Sequence, residues 1–304
     1  MDKAYADTVR LLLSVAPDVF RSSVFALKGG TAINLFVRDM PRLSVDIDLV
    51  FADWKLPRDE ALKAIANEIE TIKQRLTKRG LNVRSIAPIE FGDSKLMIDD
   101  RGTLVKVEVN HVFRGTVLPI EQRSLVASTA TAFSAELEIP VLAVDELYGS
   151  KLVAAFDRQH PRDLFDVLQV YEAGGITEGM VECFVAYLAG HNRPTHEVLF
   201  ANPKDISTEY QSAFVGMTTE PVSLEVIEST RERVFEELPW LLTNEHKEFL
   251  TGFTRGEPDW ALLKCPHAAK LPAIRWKLQN IQKFKGKNPD AFEKQASELE
   301  ALLK

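Results

Sequence analysis

The stretch Arg42-Leu43-Ser44-Val45-Asp46-Ile47-Asp48-Leu49 decides how this chain is read. Side chains alternate across an extended strand, so Arg42, Ser44, Asp46 and Asp48 fall on one face and Leu43, Val45, Ile47 and Leu49 on the other. The apolar face can bury against helices, while the polar face gathers two carboxylates, a hydroxyl and a guanidinium on one rigid element. Carboxylates at i and i+2 repel, and a bound cation is the simplest compensation. Magnesium, with manganese as its substitute, takes a few carboxylate oxygens together with water and substrate phosphates and suits such a pair. The plainer alternative is a solvated strand face on which Arg42 balances Asp46 and Asp48.

Working outward, Lys28-Gly29-Gly30-Thr31 follows an apolar strand pattern and opens a short helical one. Glycines let backbone approach a ligand closely, and a helix start offers unpaired amides to phosphate, although a Gly-Gly pair also marks many ordinary tight turns. Downstream, Leu104 to Asn110 alternates as sharply as the first stretch, with Lys106, Glu108 and Asn110 on one face and three valines on the other. Two-metal phosphoryl transfer needs ligands for both ions, which makes Glu108 the candidate third carboxylate. The same alternation also fits the half-exposed edge of a one-sided sheet.

Residues 1–140 mix helical periods with β-branched alternating runs, and residues 141–304 are mainly helical. This pattern predicts an α/β (α+β) catalytic lobe followed by a helical lobe. Strands are expected at 23–28, 43–51, 81–88 and 104–112, and helices at 31–37 and 58–78. Two further helices, 144–158 and 162–172, are split at Pro161, and the polar segment 201–221 reads as a long loop or linker. On the helix from Val144, the residues Leu147, Lys151, Ala154 and Arg158 share a face. Lys151 is thus a candidate for a triphosphate, and Arg158 could assist it or bind the acceptor. Asp163 is either a complement to the dipole and amides of the next helix or a catalytic carboxylate. Asp166 is a weaker candidate, and His160 reads as a surface residue.

Composition bounds the setting. The chain has 304 residues, 45% apolar and 27% charged, as a globular protein does. Its two cysteines, Cys183 and Cys265, are far apart and in no metal-ligand spacing, so neither a disulfide framework nor a zinc site is expected and a reducing cytoplasm is the natural location. No apolar run approaches the roughly 18 residues needed to span a bilayer. A net charge of −7 argues against indiscriminate nucleic-acid binding, yet Trp260 to Pro289 holds seven Lys or Arg residues and no Asp or Glu. With Trp260, Trp276 and Phe284 interleaved, this patch is a candidate surface for an RNA backbone and an unpaired base, through Lys277, Lys283 and Lys285. Ile274, Leu278 and Ile281 form an apolar helical stripe to which the same aromatics could belong.

The ordered set Gly29-Gly30-Thr31, Arg42-x-Ser44-x-Asp46-x-Asp48, Lys106-x-Glu108-x-Asn110, Glu146-x4-Lys151 and Pro161-Arg162-Asp163-Leu164-x-Asp166 resembles the AbiEii/AbiGii-type nucleotidyltransferase toxins, which include the MenT toxins of mycobacteria. The likeness extends to Leu271 through Asn280 and covers most of the chain. It implies a DNA polymerase β-like nucleotidyltransferase lobe with a helical C-terminal lobe that contributes Lys151 and Asp163. It further implies that Asp46 and Asp48 bind metal, that Lys151 contacts the nucleotide, that Asp163 is the later essential aspartate, and that Ser44 is the motif serine, a regulatory phosphorylation target in some members. Many polymerase β-like enzymes carry Gly-Ser where this chain has Gly29-Gly30, which leaves Thr31 as the available hydroxyl. The implied activity is transfer of a nucleoside monophosphate from an NTP to an RNA acceptor, a tRNA 3′ end, blocking translation, in a toxin neutralised by a cognate antitoxin encoded nearby. A protein hydroxyl as acceptor, or a non-catalytic nucleotide- or partner-binding shell, are the alternatives.

Overall fold

Alternating strands and one long amphipathic helix build the N-terminal part of the chain around a mixed seven-stranded sheet. The structure is a computed structural model that describes residues 3–86, 88–89, 92–93 and 95–304. It divides into two units, Met1–Ala143 with Thr218–Glu220, and Val144–Met217 with Pro221–Lys304.

The first unit runs α1 (Lys3–Val19), β1 (Phe25–Lys28), α2 (Gly29–Ala32, continued by a wider π-type turn to Val37), β2 (Ile47–Phe51), α3 (Arg58–Lys78) and β3 (Asn82–Ser85). A small ribbon, β4 (Pro88–Ile89) with β5 (Gly92–Asp93), precedes β6 (Lys95–Asp100), β7 (Thr103–Asn110), β8 (Glu121–Ser124), α4 (Ala127–Phe133) and β9 (Glu138–Val141). The main sheet has the order β3-β6-β7-β2-β1-β9-β8. β7 lies parallel to β2 and β9 parallel to β1, and the other neighbours are antiparallel. Ile47, Leu49, Val107 and Val109 are buried on the apolar side that their alternation prescribes. In α3, Leu62, Ile65, Ile69, Ile72 and Leu76 recur at helical spacing and are all buried. Each such side chain contributes about 2 kcal/mol on leaving water.

Helix 58–78 has the bounds its periodicity predicts, but the strand expected over 43–51 begins only at Ile47. From there to Phe51 the backbone is flanked by β1 and β7. Before it, Arg42 forms an isolated bridge to Thr218. The strand expected over 81–88 is Asn82–Ser85, and Ala87 lies outside the described residues. Strands β6, β8 and β9 went unpredicted; β8 and β9 have four residues each, and Pro140 within β9 argues locally against a strand.

The second unit is helical: α5 (Val144–Arg158), α6 (Pro161–Glu172), α7 (Glu178–Ala189), α8 (Thr195–Leu199), α9 (Ser207–Ala213), α10 (Leu224–Leu241), α11 (Asn244–Thr254), α12 (Pro272–Lys287) and α13 (Pro289–Leu302), with two short 3-10 turns before α12. Pro161 opens α6, and the His160 side chain accepts from the Arg162 N–H, so His160 caps this helix and is not an idle surface residue. α5 and α7 pack closely because Gly149 has no side chain: a Cβ there would sit 2.5 Å from Cys183 Cβ. The loop expected over 201–221 is corrected. It contains α9, and the Phe214 ring behind that helix is buried with its centroid 5.6 Å from Phe165. Among the described residues no helix is long and apolar enough to cross a membrane.

Candidate functional site

Sheet register gathers charges that the sequence holds far apart. Lys28 on β1 pairs across to Asp48 on β2, Asp48 to Glu108 on β7, and Glu108 to Lys95 on β6. Directly paired residues point to the same face, so a row reading plus, minus, minus, plus crosses four strands. Asp46 stands two residues before Asp48, just outside β2. Lys106 Nζ lies 3.3 Å from Asp46 Oδ2 and 3.2 Å from Glu108 Oε2, while Lys95 Nζ holds the other Glu108 oxygen at 2.8 Å. Burial would raise the Glu108 pKa, but Lys95 and Lys106 outweigh it and hold the carboxyl below its ordinary value. Burial would lower the Lys106 pKa, but Asp46 and Glu108 outweigh that and raise it.

The glycine turn is fitted to this row. Gly29 has φ +77°, and a Cβ there would lie 2.5 Å from Asp48 Oδ2. At Gly30 a Cβ would meet the Arg42 guanidinium at 2.6 Å and Ser44 Oγ at 2.7 Å. Only glycine lets the turn approach the aspartate and serine this closely. The buried Asn34 fastens the two segments: its Nδ2 donates to the Gly30 carbonyl at 2.8 Å, and its Oδ1 accepts from the Arg42 N–H at 3.1 Å. Thr31 is fully buried, with its hydroxyl 3.1 Å from Ser44 Oγ. That hydroxyl therefore serves an internal contact, which corrects the expectation that Thr31 replaces a phosphate-facing serine. Arg42 is also buried, with Nη1 donating to the Leu43 carbonyl at 3.0 Å, so it does not stand on the open face with Asp46 and Asp48. The Ser44 N–H donates to the Tyr5 hydroxyl on α1 at 3.5 Å.

In the helical unit, Lys151, Asp163 and Asp166 form a buried cluster with residue exposures of 9%, 3% and 1%. Lys151 Nζ lies 2.8 Å from Asp163 Oδ1 and 3.0 Å from Asp166 Oδ2, and the Arg158 guanidinium, itself exposed, reaches Asp163 Oδ2 at 2.7 Å. Asp163 is thus not the cap of α6; His160 has that place, and Asp163 binds the two cations of α5. Asp166, ranked low from sequence, is as much a part of the cluster. Glu146, one turn earlier on α5, is buried and accepts from the Tyr187 hydroxyl at 3.0 Å.

The family profile described as "Nucleotidyl transferase AbiEii toxin, Type IV TA system" matches residues 10–280. The chain belongs to the AbiEii nucleotidyltransferase toxin family. Among solved structures, it is similar to the nucleotidyltransferase toxin MenT4 from Mycobacterium tuberculosis H37Rv, with a TM-score of 0.59 at 18% identity, covering 92% of this chain and 94% of that one. At this identity the likeness shows a shared mixed α/β nucleotidyltransferase fold. No curated protein sequence matches the chain.

For this AbiEii-family chain the basic C-terminal segment changes meaning. Lys277 is buried and donates to the carbonyls of Asn192 at 3.1 Å and Arg193 at 2.7 Å, and burial pushes its pKa down to about 8. It is a packing element of the helical unit and not a surface cation for RNA. Lys285 pairs with Glu257 at 3.0 Å. Trp260 packs against Phe249 and Phe253, and Phe284 against Phe292, while Trp276 is exposed beside the exposed Arg275. The residues missed from sequence are Lys95, Asn34 and Tyr5. Only Asn34, a lone amide inside Ala32-Ile33-Asn34-Leu35-Phe36, left a local signal.

Proposed function

We propose that this chain transfers a nucleoside monophosphate from an NTP to an RNA end, a tRNA 3′ end, as the toxin of a toxin–antitoxin pair with a cognate antitoxin. The observation carrying this reading is the in-register pairing of Asp48 with Glu108 on adjacent parallel strands, with Asp46 beside them and the Gly29 backbone against Asp48. Two carboxylates on adjacent strands and a third just before β2 are a donor set of the chemistry that magnesium or manganese takes. Among the described residues no group of three or more His, Cys, Asp or Glu side chains is drawn together tightly enough to hold an ion, and Lys106 now stands between Asp46 and Glu108. The donors fit: Asp46, Asp48 and Glu108 would hold the metal once Lys106 swings aside, and the bound ion would neutralise charge on the reacting phosphate.

In this reading, the acceptor hydroxyl attacks the α-phosphorus in line. The new O–P bond forms as the bond to the β-phosphate oxygen breaks, and pyrophosphate leaves with the pair of electrons. Gly29 and Gly30 bring backbone amides to the phosphates, and Ser44 and the displaced Lys106 offer further donors. Lys151 and Asp163 are assigned to nucleotide contact on the strength of the family resemblance. Incubation of the purified protein with each labelled NTP, magnesium and total RNA tests the proposal. Label entering RNA with wild type and not with Asp48→Ala is the expected result; no label with any NTP would sink it, and label that resists RNase but not protease would move the acceptor to protein.

A further inference from the structure

The loop that follows β7 buries a positive charge that has no counter-charge among the described residues. Arg114 is 7% exposed, and its one side-chain hydrogen bond among the described residues is a donation from Nη1 to the His111 carbonyl at 2.7 Å, within its own loop. Its Nε is buried without a hydrogen-bond partner among the described residues, and so is His111 Nε2. The neighbouring charge that Arg114 senses is another cation, Arg58, at the start of α3. Burial first, and then Arg58, pushes the Arg114 pKa down; burial and then Arg114 does the same to His111. A buried guanidinium is ordinarily paired with a carboxylate, because an isolated buried charge is costly.

The loop is held firmly in this arrangement. Asn110 Oδ1 accepts from the N–H groups of Val112 and Phe113 at 2.9 and 3.0 Å, and the Gly115 N–H donates to the Phe51 carbonyl at 2.7 Å. The cationic loop is therefore anchored to the end of β2, beyond Asp48, and begins three residues after Glu108. Three residues of extended chain span about 10 Å. The first turn of α3 adds the positive end of a 21-residue helix whose N-cap, Pro57, makes no side-chain cap bond. Asp59, in that turn, is 3.6 Å from Arg58 on the solvent side.

We infer that His111 and Arg114, with Arg58 at the rim, form a phosphate-binding site of the first unit, distinct from the carboxylate row. The ligand class is a phosphate oxyanion, whose oxygens accept from Arg114 Nε and His111 Nε2 and supply the missing negative charge. The site stands on the buried cation alone; only the origin of the phosphate, either a phosphodiester of the acceptor strand or the triphosphate of the NTP, rests on the transfer reading.

The first test uses the full chain in phosphate-free buffer, with inorganic phosphate as the probe and sodium chloride matched for ionic strength. Wild-type Tm should rise with phosphate, as for any ligand that binds only the folded state. Arg114→Met should have a Tm equal to or above wild type without phosphate and show no response to it. A wild-type Tm indifferent to phosphate, or an Arg114→Met variant that responds like wild type, overturns the site. If Arg114→Met does not fold, His111→Gln replaces it, and an unweakened phosphate response in that variant is equally fatal. The second test measures binding of a labelled single-stranded RNA and of an NTP to both proteins. Loss of RNA affinity of about tenfold, with the slope of log K against log salt reduced by about 1, assigns the site to a phosphodiester. A comparable loss confined to the NTP assigns it to the triphosphate, and no loss for either overturns the functional role. Neither test needs catalysis, so a failure here leaves the transfer reading standing, and an inactive protein that binds phosphate leaves the site standing.

Discussion

The Asp46–Asp48–Glu108 row and the Lys151–Asp163–Asp166 cluster are built of the same groups, carboxylates and lysines within 2.8 to 3.3 Å, yet they lie in opposite solvent environments. In the row, the carboxylates of Asp46 and Glu108 and the ammonium of Lys106 are part-exposed, so water can take over either partner's charge and the contacts can be exchanged for others. In the cluster all three groups are buried, and each is expensive to strand. The difference teaches that similar ion-pair distances can carry different energies: on the proposed reading the part-exposed row would trade a lysine for a metal ion and a phosphate, whereas the buried cluster loses far more stability with any pair it gives up.

The largest effect expected is therefore on stability and in the cluster. Lys151→Ala takes from the buried Asp163 and Asp166 carboxylates the ammonium they share and should cost about 3 to 5 kcal/mol of unfolding free energy, measured by urea titration. A loss under about 1 kcal/mol would place the cluster with the row. Asp48→Asn should do the reverse: transfer activity falls about 100- to 1000-fold, the scale of removing one group that stabilises developing charge, while the urea midpoint stays within the small range of surface substitutions. Equal losses of stability in the two variants would erase the contrast.

A third outcome concerns Lys277, the buried lysine outside both regions. Its pKa is raised from about 8 in the folded chain to the ordinary 10.5 on unfolding, so between those values the unfolded state holds the extra proton. Stability should therefore rise with pH across that window, by about 3 kcal/mol in all, and be insensitive to this group below it. The difference between wild-type and Lys277→Met unfolding curves at pH 7.5 and at about pH 10 isolates the contribution; a constant difference would show the ammonium to be solvated. The smallest effect expected is at Lys106. Lys106→Gln removes the cation that competes at Asp46 and Glu108, and should lower the magnesium concentration for half-maximal binding by a few fold, roughly 1 kcal/mol or less. Weaker magnesium binding would show instead that Lys106 organises the carboxylates.

Much of the row was legible because a strand is a local object. Alternation at Ile47-Asp48-Leu49 and at Val105-Lys106-Val107-Glu108 sorts polar from apolar side chains without any knowledge of the partner strand, whereas residues 42–46 alternate in sequence but lie outside β2, with Arg42 buried. The same is true of α3, whose apolar spacing set both its ends, and of Pro161, which broke the helix it interrupts and began the next. The glycine turn could be noticed but not interpreted, since its reason is the Asp48 carboxylate that a side chain would strike.

What the sequence by itself determined is thus the polar faces of β2 and β7, the bounds of α3 and α5 and the break at Pro161, and which ordered set of residues marks the AbiEii family. Only the tertiary structure decided that β2 and β7 are parallel neighbours with Asp48 level with Glu108, that Lys95 closes the row, and that Asp166 shares Lys151 with Asp163. It alone decided that Lys277 is buried and that Arg114 is a buried cation without a counter-charge among the described residues. Strand register and burial depend on which distant segments meet, and the energy of a charge depends on the water left around it. Neither is a property of a residue's own neighbours in the chain.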